Sequence, residues 1–143
     1  MNDLNWASAY LRLHKKASIK ILENPFVYHA AKDELYEIDN LAKDFLTKCN
    51  GTSKGKDLTS DSGFVRYCIE EELLELLVSP DPVNIFVNEA VNPSLRYLEL
   101  QLLNRCNLKC LHCYLGSSEH GDMALGDALK ITREFSDIGG LRP

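Results

Sequence analysis

Three of the five cysteines in this 143-residue chain, Cys106, Cys110 and Cys113, follow the spacing C-x3-C-x2-C. Thiolates are soft ligands that suit iron–sulfur clusters, and short spacings let one loop wrap around a compact metal centre with little loss of chain entropy. A structural zinc site or a ferredoxin usually has four protein ligands, whereas this loop supplies three. The pattern therefore predicts a metal centre with one position open to a guest ligand.

The other two cysteines, Cys49 and Cys68, stand alone in predicted helices. An odd number of cysteines distributed in this way does not indicate a disulfide framework, and isolated thiols with apolar neighbours are usually small buried hydrophobes. His120 lies close enough to the loop to keep a zinc site of three cysteines and one histidine open as an alternative.

The loop sequence CNLKCLHCY, from Cys106 to Tyr114, resembles the cluster-binding loop of radical S-adenosylmethionine (radical SAM) enzymes. The resemblance implies that the three thiolates hold a [4Fe–4S] cluster whose fourth iron chelates S-adenosyl-L-methionine. One electron, from a donor such as a flavodoxin or ferredoxin, then yields a 5′-deoxyadenosyl radical that abstracts a substrate hydrogen. His112 and Tyr114 would border the cofactor or, equally, support the loop.

Two elements must position this loop. The alternation of leucines with Tyr97, Glu99 and Gln101 predicts a strand from Leu95 to Leu103 that leads into the cysteines. An apolar stripe predicts a helix after Gly121 that stops at Gly139-Gly140. By the resemblance, residues 91–143 are the first strand, loop and helix of a partial, TIM-like α/β barrel. We expect no turnover from these residues alone, because they cannot enclose a radical.

Residues 1–90 are predicted to form a separate α+β domain. The apolar spacing and turn residues predict these elements: two or three antiparallel strands within Tyr10–Ile38, a helix that Asp39 or Asn40 caps and Asn50-Gly51 ends, a polar loop Thr52–Ser62 that includes a short helix, a helix Gly63–Val78 and a strand Val83–Val87.

The order of these elements resembles the winged-helix peptide-recognition domain of enzymes that modify ribosomally made peptides. In such domains a leader peptide adds as a strand beside the third strand and lies against the third helix. The resemblance implies contacts from Leu35, Tyr36, Ile38 and Tyr67. The alternative is an accessory domain whose apolar residues form only its own core.

The composition limits the classes of partner. The chain is 45% hydrophobic and 26% charged, with a formal net charge of -5. An acidic chain without a basic face argues against nucleic-acid binding, and the absence of a long apolar run argues against a membrane span and for a cytoplasmic protein. Besides a peptide-modifying radical enzyme, the sequence leaves open a structural zinc module or a peptide-binding protein with a truncated, non-catalytic barrel.

Overall fold

The computed structural model describes residues 5–106, 108, 110–113 and 121–138. These residues form two sheets and four helices in mixed order. The elements are β1 (Tyr10–Leu13), β2 (Ala17–Ile21), β3 (Pro25–His29), β4 (Glu34–Glu37), α1 (Asn40–Lys48), β5 (Asn50–Lys54), α2 (Gly55–Leu58), α3 (Ser62–Glu70), β6 (Leu74–Leu77), β7 (Val87–Glu89) and α4 (Leu125–Ile138).

The two sheets divide the predicted N-terminal strands between them. The order of the first sheet is β5-β1-β6, with both pairs antiparallel. The order of the second is β4-β3-β2-β7, where β2, β3 and β4 form the predicted antiparallel set and β7 joins β2 in parallel. A common core lies between these elements; its fully buried members include Leu11, Ile19, Val27, Leu46 and Val65.

The structure confirms the predicted start of α1. The Asp39 side chain accepts a hydrogen bond of 2.7 Å from the Ala42 N–H group, which otherwise would lack an acceptor in the first turn. The predicted stop at Asn50-Gly51 is only partly right, because the helix ends at Lys48 and these residues begin β5. Gly51 has a φ of 84°, as the turn signal predicted.

The predicted helix Gly63–Val78 is wrong in its second half. Helix α3 ends at Glu70, and Glu72 follows with a positive φ of 58°. The Leu73 N–H group donates back to the Cys68 carbonyl at 2.7 Å, which closes the helix end. Residues Leu74–Leu77 then pair with β1, where the sheet satisfies their backbone groups.

Two further strand predictions are wrong. The strand placed at Val83–Val87 is found at Val87–Glu89, and Leu95–Leu103 does not form a strand. No strand among the described residues pairs with Leu95–Leu103, and a lone strand leaves its backbone groups without partners. The predicted helix after Gly121 is confirmed as α4, whereas Gly139-Gly140 lies outside the described residues.

The segment after residue 90 is attached to the second sheet through Glu23. The Glu23 carboxylate accepts hydrogen bonds from the Ser94 N–H group at 2.8 Å and from the Arg96 guanidinium at 2.5 Å. These hydrogen bonds, chiefly that of Ser94, lower the pKa of Glu23 to about 2. The predicted domain boundary at residue 90 is therefore crossed by polar contacts.

The described helices are all short, the longest being the 14 residues of α4. None of them is long and apolar enough to traverse a lipid bilayer.

Candidate functional site

A polar clamp joins the two ends of the cysteine loop. The Asn104 N–H group donates to the Asp122 carboxylate at 3.1 Å, and the Arg105 guanidinium forms an ion pair with the same carboxylate at 2.6 Å. The Met123 N–H group donates to the Leu102 carbonyl at 2.9 Å. These contacts bring residues 102–105, before the cysteines, against residues 121–123, after them.

The three cysteines of this loop have exposed side chains. A turn joins Cys110 and Cys113, because the N–H group of Cys113 donates to the Cys110 carbonyl at 3.2 Å. Among the described residues, no three histidine, cysteine or acidic side chains lie close enough together to hold a metal ion. The donor types fit an iron–sulfur cluster, and cluster binding would have to gather the three thiolates.

Of the other residues predicted to bind a ligand in this loop, the structure describes only one. His112 is exposed beside Cys113, where its ring is accessible to a ligand. Tyr114 and the alternative zinc ligand His120 lie outside the described residues.

The two isolated cysteines are buried, as predicted. Cys49 and Cys68 are fully inaccessible and belong to the hydrophobic core. Desolvation by burial raises the pKa of each thiol to about 12. Neither thiol is available as a fourth ligand without disruption of the core.

A groove of about 510 Å³ runs between β4, α1 and α3. It brings together three of the four residues predicted to contact a peptide, Tyr36, Ile38 and Tyr67, whereas Leu35 is not among its lining residues. Successive side chains of a strand point to opposite faces, which places Leu35 on the other face from Tyr36. The groove is lined by Tyr36, Glu37, Ile38, Asp39, Leu41, Ala42, Phe45, Leu46, Thr59, Asp61, Phe64, Tyr67 and Leu73.

The groove has an apolar interior. The rings of Phe45 and Phe64 meet edge to face with their centroids 5.8 Å apart. Leu41 is 80% exposed and Tyr67 is 45% exposed, so both can be covered further by a ligand. Leu41 and Phe45 were not among the predicted site residues, although their spacing of four residues places them on one face of the helix.

One side of the groove is the free edge of a sheet. Among the described residues, strand β4 pairs with β3 only, at the end of the strand order β4-β3-β2-β7. The N–H group of Ile38 donates to the Pro25 carbonyl at 3.0 Å, which fixes the alternation of hydrogen-bonded pairs along β4. The backbone groups of Leu35 and Glu37 therefore point outward, where an added strand could pair with them.

Two carboxylates that do not themselves line the groove meet beside it, at the hydroxyl of Tyr36. The Tyr36 hydroxyl contacts the Glu34 carboxylate and lies 2.9 Å from the Glu71 carboxylate. The hydrogen bond with Glu34, desolvation and the hydrogen bond with Glu71 raise the pKa of Tyr36. Sequence reasoning missed this pair, because the two glutamates are far apart in the chain.

A second concavity, of about 730 Å³, lies between the β1–β2 turn and residues 83–88. Lys15, Lys16 and Phe86 contribute to its wall, but none of the predicted site residues does. None of its lining residues belongs to β4 or to the cysteine loop.

Comparison with known proteins found no matching family model, no similar curated protein and no similar solved structure.

Proposed function

We propose that this chain is the N-terminal part of a cytoplasmic radical SAM enzyme that modifies a ribosomally made peptide. The observation that carries the proposal is the set of three exposed thiols, Cys106, Cys110 and Cys113, in the spacing C-x3-C-x2-C. The clamp between residues 102–105 and 121–123 supports it, because a loop with joined ends loses less entropy when its side chains gather around a metal.

In this proposal each part of the loop has one task. The three cysteines would hold a [4Fe–4S] cluster, and His112 and Tyr114 would border S-adenosyl-L-methionine. With one electron from a donor such as a flavodoxin or ferredoxin, the bound cluster and cofactor would supply the reductive cleavage that gives a 5′-deoxyadenosyl radical. Asp122 would keep the loop ends in place through Arg105.

The groove beside β4 would recognise the substrate. An extended leader peptide would add as a fifth strand to the sheet through the outward backbone groups of Leu35 and Glu37. Its side chains on the groove face would contact Tyr36, Ile38 and Tyr67. Backbone pairing would give affinity, and the apolar interior would select side chains.

Anaerobic reconstitution with iron and sulfide tests the metal assignment. We expect a brown protein whose reduced cluster gives an electron paramagnetic resonance signal that shifts when S-adenosyl-L-methionine is added. Cys110→Ala should abolish the signal, whereas Cys68→Ala, which removes a buried thiol, should retain it. A colourless protein that binds one zinc ion instead would refute the radical assignment and favour the structural zinc module.

Assays of cofactor binding and of peptide binding distinguish the proposed enzyme from a peptide-binding protein with a truncated, non-catalytic barrel. A chain that binds a leader peptide through the groove but whose reconstituted form never shifts its signal with the cofactor would be a peptide-binding protein only.

A further inference from the structure

We propose that the peptide bound in the groove beside β4 carries a lysine or arginine side chain that lies between Glu34 and Glu71. This inference rests on the proposed peptide-recognition role and specifies the chemistry of the peptide. It follows from the two carboxylates that meet at the Tyr36 hydroxyl beside the groove, which an apolar peptide would leave without a cationic partner.

The two carboxylates share a single donor. The Tyr36 hydroxyl has one proton to donate, yet it contacts both Glu34 and Glu71. Within the part of the chain that the structure describes, neither carboxylate forms an ion pair with a lysine or an arginine. The Lys32 ammonium is near, but it donates to the backbone carbonyl of Glu71 at 3.1 Å. A cation would therefore complete this pair.

The acidic side chains that do line the groove already have N–H donors. Asp39 accepts from the first turn of α1 at 2.7 Å, and Asp61 accepts from the Phe64 N–H group at the start of α3 at 2.9 Å. Glu37 accepts from the Asn24 amide at 2.8 Å. A cationic ligand could therefore form an ion pair with Glu34 and Glu71 without displacing a hydrogen bond that caps a helix.

The geometry also fixes where the basic side chain lies relative to the apolar ones. Glu34, Tyr36 and Ile38 alternate along one face of the chain, about 7 Å apart in an extended strand. A peptide paired with this edge would place side chains two residues apart at the same spacing. We therefore expect a basic residue two or four positions from an apolar residue that packs against Phe45 and Phe64.

The test is a selection of random twelve-residue peptides by messenger-RNA display against the full chain. A parallel selection uses the Glu34→Gln, Glu71→Gln double variant, and Glu70→Gln is a matched control for the loss of charge on the exposed end of α3. Leu35→Pro, which removes an outward N–H group, and Tyr67→Ala identify peptides that depend on the groove. Circular dichroism confirms that each variant is folded.

We expect groove-dependent peptides from the wild-type selection to be enriched in lysine or arginine at one position. Replacement of that residue by glutamine should weaken binding to the wild-type chain about tenfold, and should have little effect on binding to the double variant. Groove-dependent peptides without this enrichment, or equal losses on both proteins, would overturn the inference and leave peptide recognition intact. Failure to select any groove-dependent peptide would overturn both proposals.

Discussion

The five thiols should react in two classes that differ in rate by orders of magnitude. Cys106, Cys110 and Cys113 are exposed, whereas Cys49 and Cys68 are fully buried. Alkylation needs the thiolate, whose population depends on the thiol pKa. Burial raises the pKa of the two core thiols from 9.0 to about 12, so at pH 8 their thiolate fraction is about a thousandfold lower than that of an ordinary thiol.

The assay is time-resolved alkylation of the reduced chain with iodoacetamide at pH 8, read by intact mass. We expect rapid addition of three labels, then a plateau, and five labels only in denaturant. Peptide mapping should locate the first three labels in residues 106–113. Rapid addition of a fourth or fifth label to the folded chain would refute the assignment of Cys49 and Cys68 to the core.

The same burial makes stability depend on pH at the alkaline end. In the unfolded chain the two core thiols titrate near their ordinary value of 9.0, whereas in the folded chain they keep their protons to about pH 12. The unfolded state therefore binds fewer protons between these values, and the free energy of unfolding should fall as pH rises from about 9 towards 12. Replacement of both thiols by alanine should flatten this decline.

Three further predictions concern the scaffold. Asp39→Ala should lower the free energy of unfolding by about 1 kcal/mol in urea, because the Ala42 N–H group loses its acceptor, and Asp39→Asn should restore most of it. Gly51→Ala should cost about 2 kcal/mol, because its φ is 84° and the added Cβ would overlap the Asp81 carbonyl; an unchanged denaturation midpoint would contradict this geometry. In an NMR titration the Glu23 carboxyl should show a midpoint of about 2, so its stabilising contribution should be lost as pH falls from 4.5 towards 2; a midpoint near 4.5 would show that its hydrogen bonds do not form in solution.

Local chemistry explains which elements the sequence predicted correctly. The start of α1 depends on Asp39 and on residues within its first turn, and α4 depends on apolar spacing within 14 residues. Both signals lie inside the element itself, so a sequence pattern can specify them. The antiparallel set β2, β3 and β4 was likewise predicted from short turns between neighbouring strands.

The wrong predictions concern segments whose structure depends on pairing with a strand that is distant in the sequence. The leucine-rich segment after Glu70 fits a helix as well as a strand, and the choice is made by β1, more than sixty residues earlier in the chain. The alternating pattern of Leu95–Leu103 fits a strand, but an isolated pattern does not supply the partner that a strand requires.

In the candidate site, too, features that depend on nearby residues were predicted, whereas a contact between distant residues was not. Cys106, Cys110 and Cys113 were predicted as one set of ligands because all three lie in one short loop. The resemblance predicted peptide contacts from Leu35, Tyr36, Ile38 and Tyr67, and all of these except Leu35 line the groove. The pairing of Glu34 with Glu71 through a tyrosine hydroxyl was not predicted, because it depends on the way α3 packs against the sheet.

The open edge of β4 also bears on how this chain avoids association with itself. Exposed strand edges pair readily with one another, and such pairing leads to aggregation. Strand β4 is only four residues long, and it begins with Glu34 and ends with Glu37. Edge-to-edge contact between two copies would bring the acidic ends of the two strands close to each other, and like charges at close range oppose pairing. Glu34, which belongs to the pair proposed to bind a basic side chain, would thus also help to keep the edge free for a peptide.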